Sequence, residues 1–153
     1  MSRTAHISMS NRSHSAPAKN LSALLIGIAE GIPDSAVITD LSLDSRKLRP
    51  GGAFVALPGL RSHGLAFVRD AIAAGAVAIL WEPSAGTTLP ELPPNVLHVP
   101  IPNLTLRLGE IADRFFDEPS KWLQIAAVTG TNGKTTTAYM LAAALEKLRL
   151  SSA

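Results

Sequence analysis

The stretch that decides the fold lies near the C-terminus and reads Ala127-Val128-Thr129-Gly130-Thr131-Asn132-Gly133-Lys134-Thr135-Thr136. Its two glycines let backbone N–H groups turn towards negatively charged oxygens, where a Cβ atom would obstruct them. An apolar segment precedes this loop and a helical pattern follows it, so the helix N-terminus adds its dipole and unpaired N–H groups. The order strand, loop, helix predicts an α/β fold that binds ATP or a close relative.

The side chains of this phosphate loop have separate expected roles. Lys134 supplies a mobile positive charge for the outer phosphates, and the Thr135 hydroxyl is placed to ligate Mg²⁺. The common pattern G-x-x-x-x-G-K-[ST] requires glycine where this chain has Val128, so the loop is a compact variant. An incidental lysine after a glycine turn is the alternative interpretation. The candidate ATP-binding residues are Gly130, Thr131, Asn132, Gly133, Lys134, Thr135 and Thr136.

Upstream of the loop, extended and helical patterns alternate. Apolar runs predict strands at 36–38, 40–43, 53–57, 76–81, 96–99 and 123–128. Helical spacing predicts helices at about 21–29, 65–74, 103–116 and 134–150. The second of these places Phe67, Val68, Ala71 and Ile72 on one apolar face, and the third places Leu106, Ile111 and Phe115. Gly75 is expected as a C-terminal cap and Asn103 as an N-terminal cap.

These elements predict α/β layers with mainly parallel strand pairing. Residues 1–19 are polar and lack an apolar period, so we expect a disordered leader. A small α/β domain should cover 20–119, and 120–153 should begin a second, parallel α/β ATPase domain. One strand, one loop and one helix cannot cover a sheet, so the second domain is expected to be truncated and catalytically inactive alone.

Composition narrows the classes of function. The chain has no cysteine, which excludes disulfides, thiolate metal sites and a cysteine nucleophile, and suits a reducing cytoplasm. Residues 21–119 hold seven basic and eleven acidic side chains, so no basic face for nucleic acid is expected. The longest apolar stretch, 21–32, is too short to span a bilayer and contains Glu30. A weak signal peptide is the alternative interpretation of that stretch.

The phosphate loop, with Val128-Thr129 before it, resembles the ATP loop of the Mur ligases, the ATP-dependent amide-bond ligases of peptidoglycan synthesis. The upstream region agrees with the family's N-terminal UDP-sugar-binding domain. It carries Asp44-Ser45-Arg46, the run 50–56, Gly59, His63-Gly64, Phe67, Ala71 and Gly75-Ala76. The resemblance spans about 36–148. It is greatest to the tripeptide-forming members, through Thr131-Asn132 and Asp44-Ser45-Arg46, and next to the members that extend the tripeptide to a pentapeptide.

The resemblance implies a substrate, a cofactor and a reaction. ATP would phosphorylate the carboxylate of UDP-MurNAc-L-Ala-D-Glu, and the amine of diaminopimelate or lysine would attack the acyl phosphate. The protein would be a cytoplasmic monomer that uses Mg²⁺, with its catalytic residues beyond the end of this chain. The resemblance assigns UDP-sugar contacts to Leu43, Ser45, Leu60, Arg61 and Ser62.

Several alternatives stay open at this point. Asp44 and Arg46 could simply pair with each other, and Arg61 could be a solvated surface charge. His63 stands where the family more often has an acidic residue. The histidines have no ligand spacing, so no histidine metal site is assigned, and Trp81 and Trp122 are interpreted as packing residues. The competing functions are a non-catalytic nucleotide- or UDP-sugar-binding module and an unrelated P-loop kinase or ATPase.

Overall fold

The computed structural model describes residues 18–60, 62–122 and 126–149, and the chain divides into two compact units between Pro119 and Ser120. The first unit alternates short strands and helices. Its elements are β1 (Lys19–Asn20), α1 (Leu21–Leu24), β2 (Val37–Ile38), β3 (Leu41–Ser42), β4 (Ala53–Ala56), a 3-10 helix (Gly64–Phe67), α2 (Val68–Ala73), β5 (Ala78–Trp81), β6 (Leu97–Pro100) and α3 (Leu104–Phe115).

A parallel sheet of four strands forms the centre of this unit, in the order β3-β4-β5-β6. Ala53 stands opposite Leu41 on one side and opposite Ala78 on the other, and Ala78 stands opposite Leu97. β1 and β2 form a separate antiparallel pair. The predicted α/β class with mainly parallel pairing is therefore confirmed.

The two faces of the sheet bury two different apolar clusters, because side chains alternate along a strand. Ala53 and Val55 of β4 belong to the cluster that contains residues of α1 and α3. Phe54 and Ala56 of the same strand belong to the cluster that contains Val68 of α2. Helices thus cover both faces, and β4 and β5 are apolar at nearly every position, as expected for strands in a covered parallel sheet.

Three helical predictions were wrong in detail. The first helix ends at Leu24 rather than near Ala29, and Gly27 has φ +73°, which does not continue a right-handed helix. The predicted apolar positions Ile111 and Phe115 of α3 are buried, together with Leu104, but Leu106 is 83% exposed, because it lies five residues before Ile111 and so on another side of the helix. Phe67 is 46% exposed, because it ends a 3-10 helix rather than continuing the face of α2. Asn103 precedes α3 with φ 56° and makes no side-chain cap hydrogen bond.

The second unit contains a short 3-10 helix (Pro119–Lys121) and α4 (Lys134–Lys147). Part of the predicted strand, 123–125, lies outside the described residues, and 126–129 are not in a strand.

Most of the predicted leader also lies outside the described residues. Its last residue, Lys19, belongs to β1 and forms an ion pair with Asp117. Trp81 packs against the second cluster, whereas Trp122 is exposed, so the packing prediction was wrong for Trp122. Within the described ranges, no helix is long and apolar enough to cross a membrane.

Gly75 ends α2 as predicted, with φ +95°, and its carbonyl accepts a hydrogen bond of 2.8 Å from Gly51 N. A Cβ atom at this position would lie 2.9 Å from Pro50 Cα. We expect Gly75→Ala to lower the free energy of unfolding by about 2–4 kcal/mol, because backbone strain and a backbone clash add. Urea denaturation measures this loss.

Gly86→Ala is the matched control, since Gly86 has φ +75° but open space around a Cβ atom. It should cost only about 1 kcal/mol, the strain of the backbone alone. Equal losses in the two variants would show that the contact with Pro50 contributes nothing.

Candidate functional sites

A groove of about 530 Å³ opens beside the end of β3. Because β3 and β4 are parallel and Ser42 stands opposite Phe54, the loops that follow the two strands leave the sheet at the same edge. The groove receives residues from the first of these loops and from the 3-10 helix and α2. Its lining consists of Leu43, Asp44, Ser45, Arg46, Phe67 and Asp70.

The loop after β3 is held by local hydrogen bonds. Ser42 Oγ donates to Asp44 O at 2.9 Å and accepts from Asp44 N at 3.1 Å, and Lys47 N donates to Asp44 O at 3.0 Å. Ser45 is only 6% exposed and is the one buried polar residue in the described part of the chain. The turn therefore fixes a hydroxyl-bearing residue at the base of an open groove.

Asp44 and Arg46 form a two-bonded fork at the groove. Arg46 Nε donates to Asp44 Oδ1 and Arg46 Nη2 donates to Asp44 Oδ2, both at 2.9 Å. The side-chain hydrogen bonds from Arg46, together with the backbone bond from Arg46 N, lower the pKa of Asp44 to about 2. The expected pairing alternative is thus correct, but the fork uses only Nε and Nη2. The Nη1 donors of Arg46 remain for an anion in the groove.

The described residues of the loop after β4, 57–60 and 62–64, form a tight hairpin, which we call the 57–64 hairpin. Gly64 N donates to Leu57 O at 2.8 Å, Gly59 N donates to Ser62 O at 3.2 Å, and Pro58 and His63 form an antiparallel bridge. A Cβ atom on Gly59 would lie 2.7 Å from Ser62 O, so the closure requires glycine. Leu60 is fully exposed near the tip.

The sequence-based UDP-sugar residues separate into two groups. Leu43 and Ser45 line the groove. Leu60 and Ser62 lie in the 57–64 hairpin at the same edge of the sheet but are not among the lining residues, and Arg61 lies outside the described residues.

Sequence reasoning missed Phe67 and Asp70 as groove residues. It placed Phe67 on the apolar face of a helix, whereas Phe67 lies in the 3-10 helix with its ring at the groove. The three-residue spacing of the buried Leu65, Val68 and Ala71 is the signal that could have shown this, because it leaves Phe67 on another side.

The phosphate loop of the second unit has a left-handed glycine before its helix. Gly133 has φ +78° and Gly130 has φ +141°, backbone conformations that favour glycine. α4 begins directly after Gly133, has no side-chain cap, and its first intrahelical bond runs from Thr137 N to Gly133 O at 2.9 Å. The N–H groups of the first turn therefore point outward without helical acceptors, as an anion site requires.

Lys134 already lies over this loop, since its Nζ donates to Gly130 O at 2.6 Å. Residues 130–136 are all exposed, and nothing lies within 4 Å of a Cβ atom built on Gly133. An ammonium group, open backbone donors and the Thr135 hydroxyl thus occur within seven residues. This donor set fits a polyphosphate with its Mg²⁺ ion.

Comparison with known proteins places this arrangement in a class. Residues 37–116 match the sequence family described as "Mur ligase family, catalytic domain", and residues 128–152 match "Mur ligase middle domain". The chain therefore belongs to the Mur ligase family, and the resemblance seen in the sequence is confirmed.

Two curated relatives show which members of the family this chain resembles. The chain is 45% identical over 128 residues to a protein of Xanthomonas campestris pv. campestris (strain 8004) named UDP-N-acetylmuramoyl-L-alanyl-D-glutamate--2,6-diaminopimelate ligase, with 80% of this chain and 25% of the relative covered. It is 44% identical over 133 residues to a protein of the same name from Xylella fastidiosa (strain Temecula1 / ATCC 700964), with 82% and 26% covered. The chain spans about a quarter of the length of these curated relatives.

Solved structures show the same fold. MurF from Acinetobacter baumannii matches with a TM-score of 0.64 at 25% identity, over 88% of this chain and 29% of that one. MurF ligase from Thermotoga maritima in complex with ADP matches with a TM-score of 0.50 at 27% identity, over 71% and 23%.

The Asp44–Arg46 fork gives a pH prediction. Because its folded pKa is about 2, the stabilisation from the pair is complete above the unfolded value of about 3.9 and is lost as pH falls through about 2. We expect Arg46→Ala to return the pKa of Asp44 towards about 3.9. NMR titration of the Asp44 carboxyl carbon measures the shift.

Arg107→Ala is the control, since Arg107 pairs with Glu110 on α3 and makes no bond to Asp44. It should leave the Asp44 titration unchanged. An Asp44 midpoint that stays near 2 without Arg46 would exclude the fork as its cause.

Proposed function

We propose that this chain is part of an ATP-dependent ligase that joins 2,6-diaminopimelate to UDP-MurNAc-L-Ala-D-Glu in peptidoglycan synthesis. The observation that carries the proposal is the 45% identity to relatives of that name across 80% of the chain. The geometry supports it, because the chain has a polar groove at a sheet edge and a glycine-bounded phosphate loop before a helix.

The first unit would be the UDP-sugar domain, with its substrate in the groove and against the 57–64 hairpin. Arg46 Nη1 would donate to a phosphate oxygen, and Ser45 would supply a hydroxyl at the groove base. The exposed side chains of Leu43 and Phe67 offer apolar surface for the base or the sugar. Leu60 and Ser62 would contact the ligand from the hairpin, and Arg61, which lies outside the described residues, would supply a guanidinium for the diphosphate.

The second unit would be part of the ATP-binding domain. Backbone N–H groups of 130–136 would hold the phosphates, and Lys134 would exchange its bond to Gly130 O for the outer phosphates. Thr135 would hold Mg²⁺, which neutralises charge on the phosphates. ATP would transfer its γ-phosphoryl group to the dipeptide carboxylate and leave as ADP. The amine of diaminopimelate would then attack the acyl phosphate, and phosphate and a proton would leave as the amide bond forms.

We also propose that the protein acts in the cytoplasm as a monomer. A chain without cysteine suits a reducing compartment.

Substrate binding to the groove can be measured directly by calorimetry with UDP-MurNAc-L-Ala-D-Glu and the 153-residue chain. Phe67→Ala should weaken binding by about five- to tenfold, because it removes an aromatic contact of about 1 kcal/mol or more. Ser45→Ala should cost a similar factor through one lost hydrogen bond.

Ser84→Ala is the matched control for Ser45→Ala, since Ser84 is exposed and bonds only to Thr87 in the loop after β5. It should bind like the parent chain. A parent chain that folds and does not bind the dipeptide substrate would overturn the assignment of the first unit.

Nucleotide binding tests the second unit separately. Lys134→Ala should weaken Mg²⁺–ATP binding at least tenfold, because it removes a charge-assisted bond to the phosphates. Lys147→Ala changes the same residue type at the other end of α4 and should have no effect. Equal affinities of the two variants for Mg²⁺–ATP, measured by calorimetry, would refute the role of Lys134.

A further inference from the structure

His63 uses both ring nitrogens at the base of the 57–64 hairpin. Its Nδ1 accepts a hydrogen bond of 3.1 Å from Leu65 N, and its Nε2 lies 2.9 Å from Glu82 O. An amide N–H can only donate and a carbonyl oxygen can only accept. The ring in this arrangement is therefore neutral, with its proton on Nε2, because a proton on Nδ1 would remove the acceptor for Leu65 N.

These two bonds connect three elements. The bond to Leu65 caps the 3-10 helix that presents Phe67 to the groove. The bond to Glu82 reaches the residue directly after β5, so it ties the hairpin to the neighbouring strand. The other hairpin bonds named above, including the bridge between Pro58 and His63, join residues of the hairpin itself. Glu82 N also donates to Ala56 O at 3.1 Å, one residue before the hairpin, so the bond from His63 adds a side-chain tie between the hairpin and the carboxyl edge of the sheet.

The link continues through Glu82 into α3. Glu82 Oε2 accepts from Thr105 N at 2.8 Å and from Thr105 Oγ1 at 2.6 Å, at the first turn of the helix. A hairpin, a strand end and a helix start are thus joined through one histidine and one glutamate. The backbone carbonyl of Glu82 bonds to His63 of the hairpin, and its carboxylate bonds to Thr105 of α3. A change of the Glu82 side chain therefore alters only the connection to α3.

We propose that His63, in its neutral Nε2–H tautomer, is a positioning residue that holds the 57–64 hairpin and the 3-10 helix in place for substrate. This rests on the proposed function, in which Leu60 and Ser62 of the hairpin contact the UDP-sugar. His63 itself does not line the groove. It acts through the hairpin and through Phe67, whose positions set the shape of the site before substrate arrives.

Two conservative variants separate the two bonds of His63. In His63→Asn the short amide can still cap Leu65 N but does not reach Glu82 O. In His63→Gln the longer amide can donate to Glu82 O, so it should rescue the link. His98→Gln is the matched control, since His98 is exposed on β6. Glu82→Gln changes the connection to α3 and leaves the backbone carbonyl in place.

The parent and variant chains are compared by three measurements at pH 8. Nitrogen-15 NMR reports the tautomer of His63, hydrogen exchange reports opening of the hairpin at Gly59 N and Gly64 N, and calorimetry reports affinity for UDP-MurNAc-L-Ala-D-Glu. We expect the Nε2–H tautomer in the parent chain. His63→Asn should speed exchange at both amides about three- to tenfold and weaken binding by a similar factor, the effect of one hydrogen bond.

His63→Gln should restore hairpin exchange to within about twofold, and His98→Gln and Glu82→Gln should leave hairpin exchange unchanged. An Nδ1–H tautomer, or unchanged exchange in His63→Asn, overturns the positioning role. A parent chain that shows these exchange differences but does not bind the dipeptide substrate overturns the proposed function and leaves the hold of His63 on the hairpin established.

Discussion

The parallel register of four short strands is the constraint on which the site depends. Since β3, β4, β5 and β6 run in the same direction, the loops that follow them leave the sheet at one edge. This brings the Asp44–Arg46 fork, the 57–64 hairpin and Glu82 to that edge, although they are far apart in sequence. Backbone pairing sets this alignment, and the side chains of the two apolar clusters hold the helices against the faces of the sheet.

The two proposed anion-binding regions would use different physics. At the groove the guanidinium of Arg46 is already paired with Asp44 and the Asp70 carboxylate also lines the groove, so attraction by net charge would be absent and recognition would depend on the remaining donors and on shape. At the phosphate loop an ammonium contacts only a carbonyl, and the helix N-terminus adds unpaired N–H groups. The first arrangement suits selection of one ligand, and the second suits strong attraction to any polyphosphate.

The sequence could predict the structural role of residues that contact near neighbours in the chain. Asp44-Ser45-Arg46 forms its turn and its fork within three residues, so the motif alone indicated both the site and the pairing alternative. Gly75 was predictable because a helix that ends on a left-handed residue favours glycine there. The exposure of Phe67 was not predictable in this way. A single 3-10 turn before α2 changes the angle between successive side chains, so a residue predicted in the core faces solvent. Leu106 is different, because its position five residues before Ile111 already places it on another side of α3.

The sequence by itself determined the α/β class, the parallel pairing, the phosphate loop and the family, because periodicity, glycine spacing and motif chemistry are properties of neighbouring residues. Only the tertiary structure decided what His63 does. Its Nδ1 accepts a hydrogen bond from Leu65 N and so caps the following 3-10 turn. Its second bond reaches Glu82, nineteen residues away. That partner is set by the pairing of β4 with β5, which no local pattern specifies.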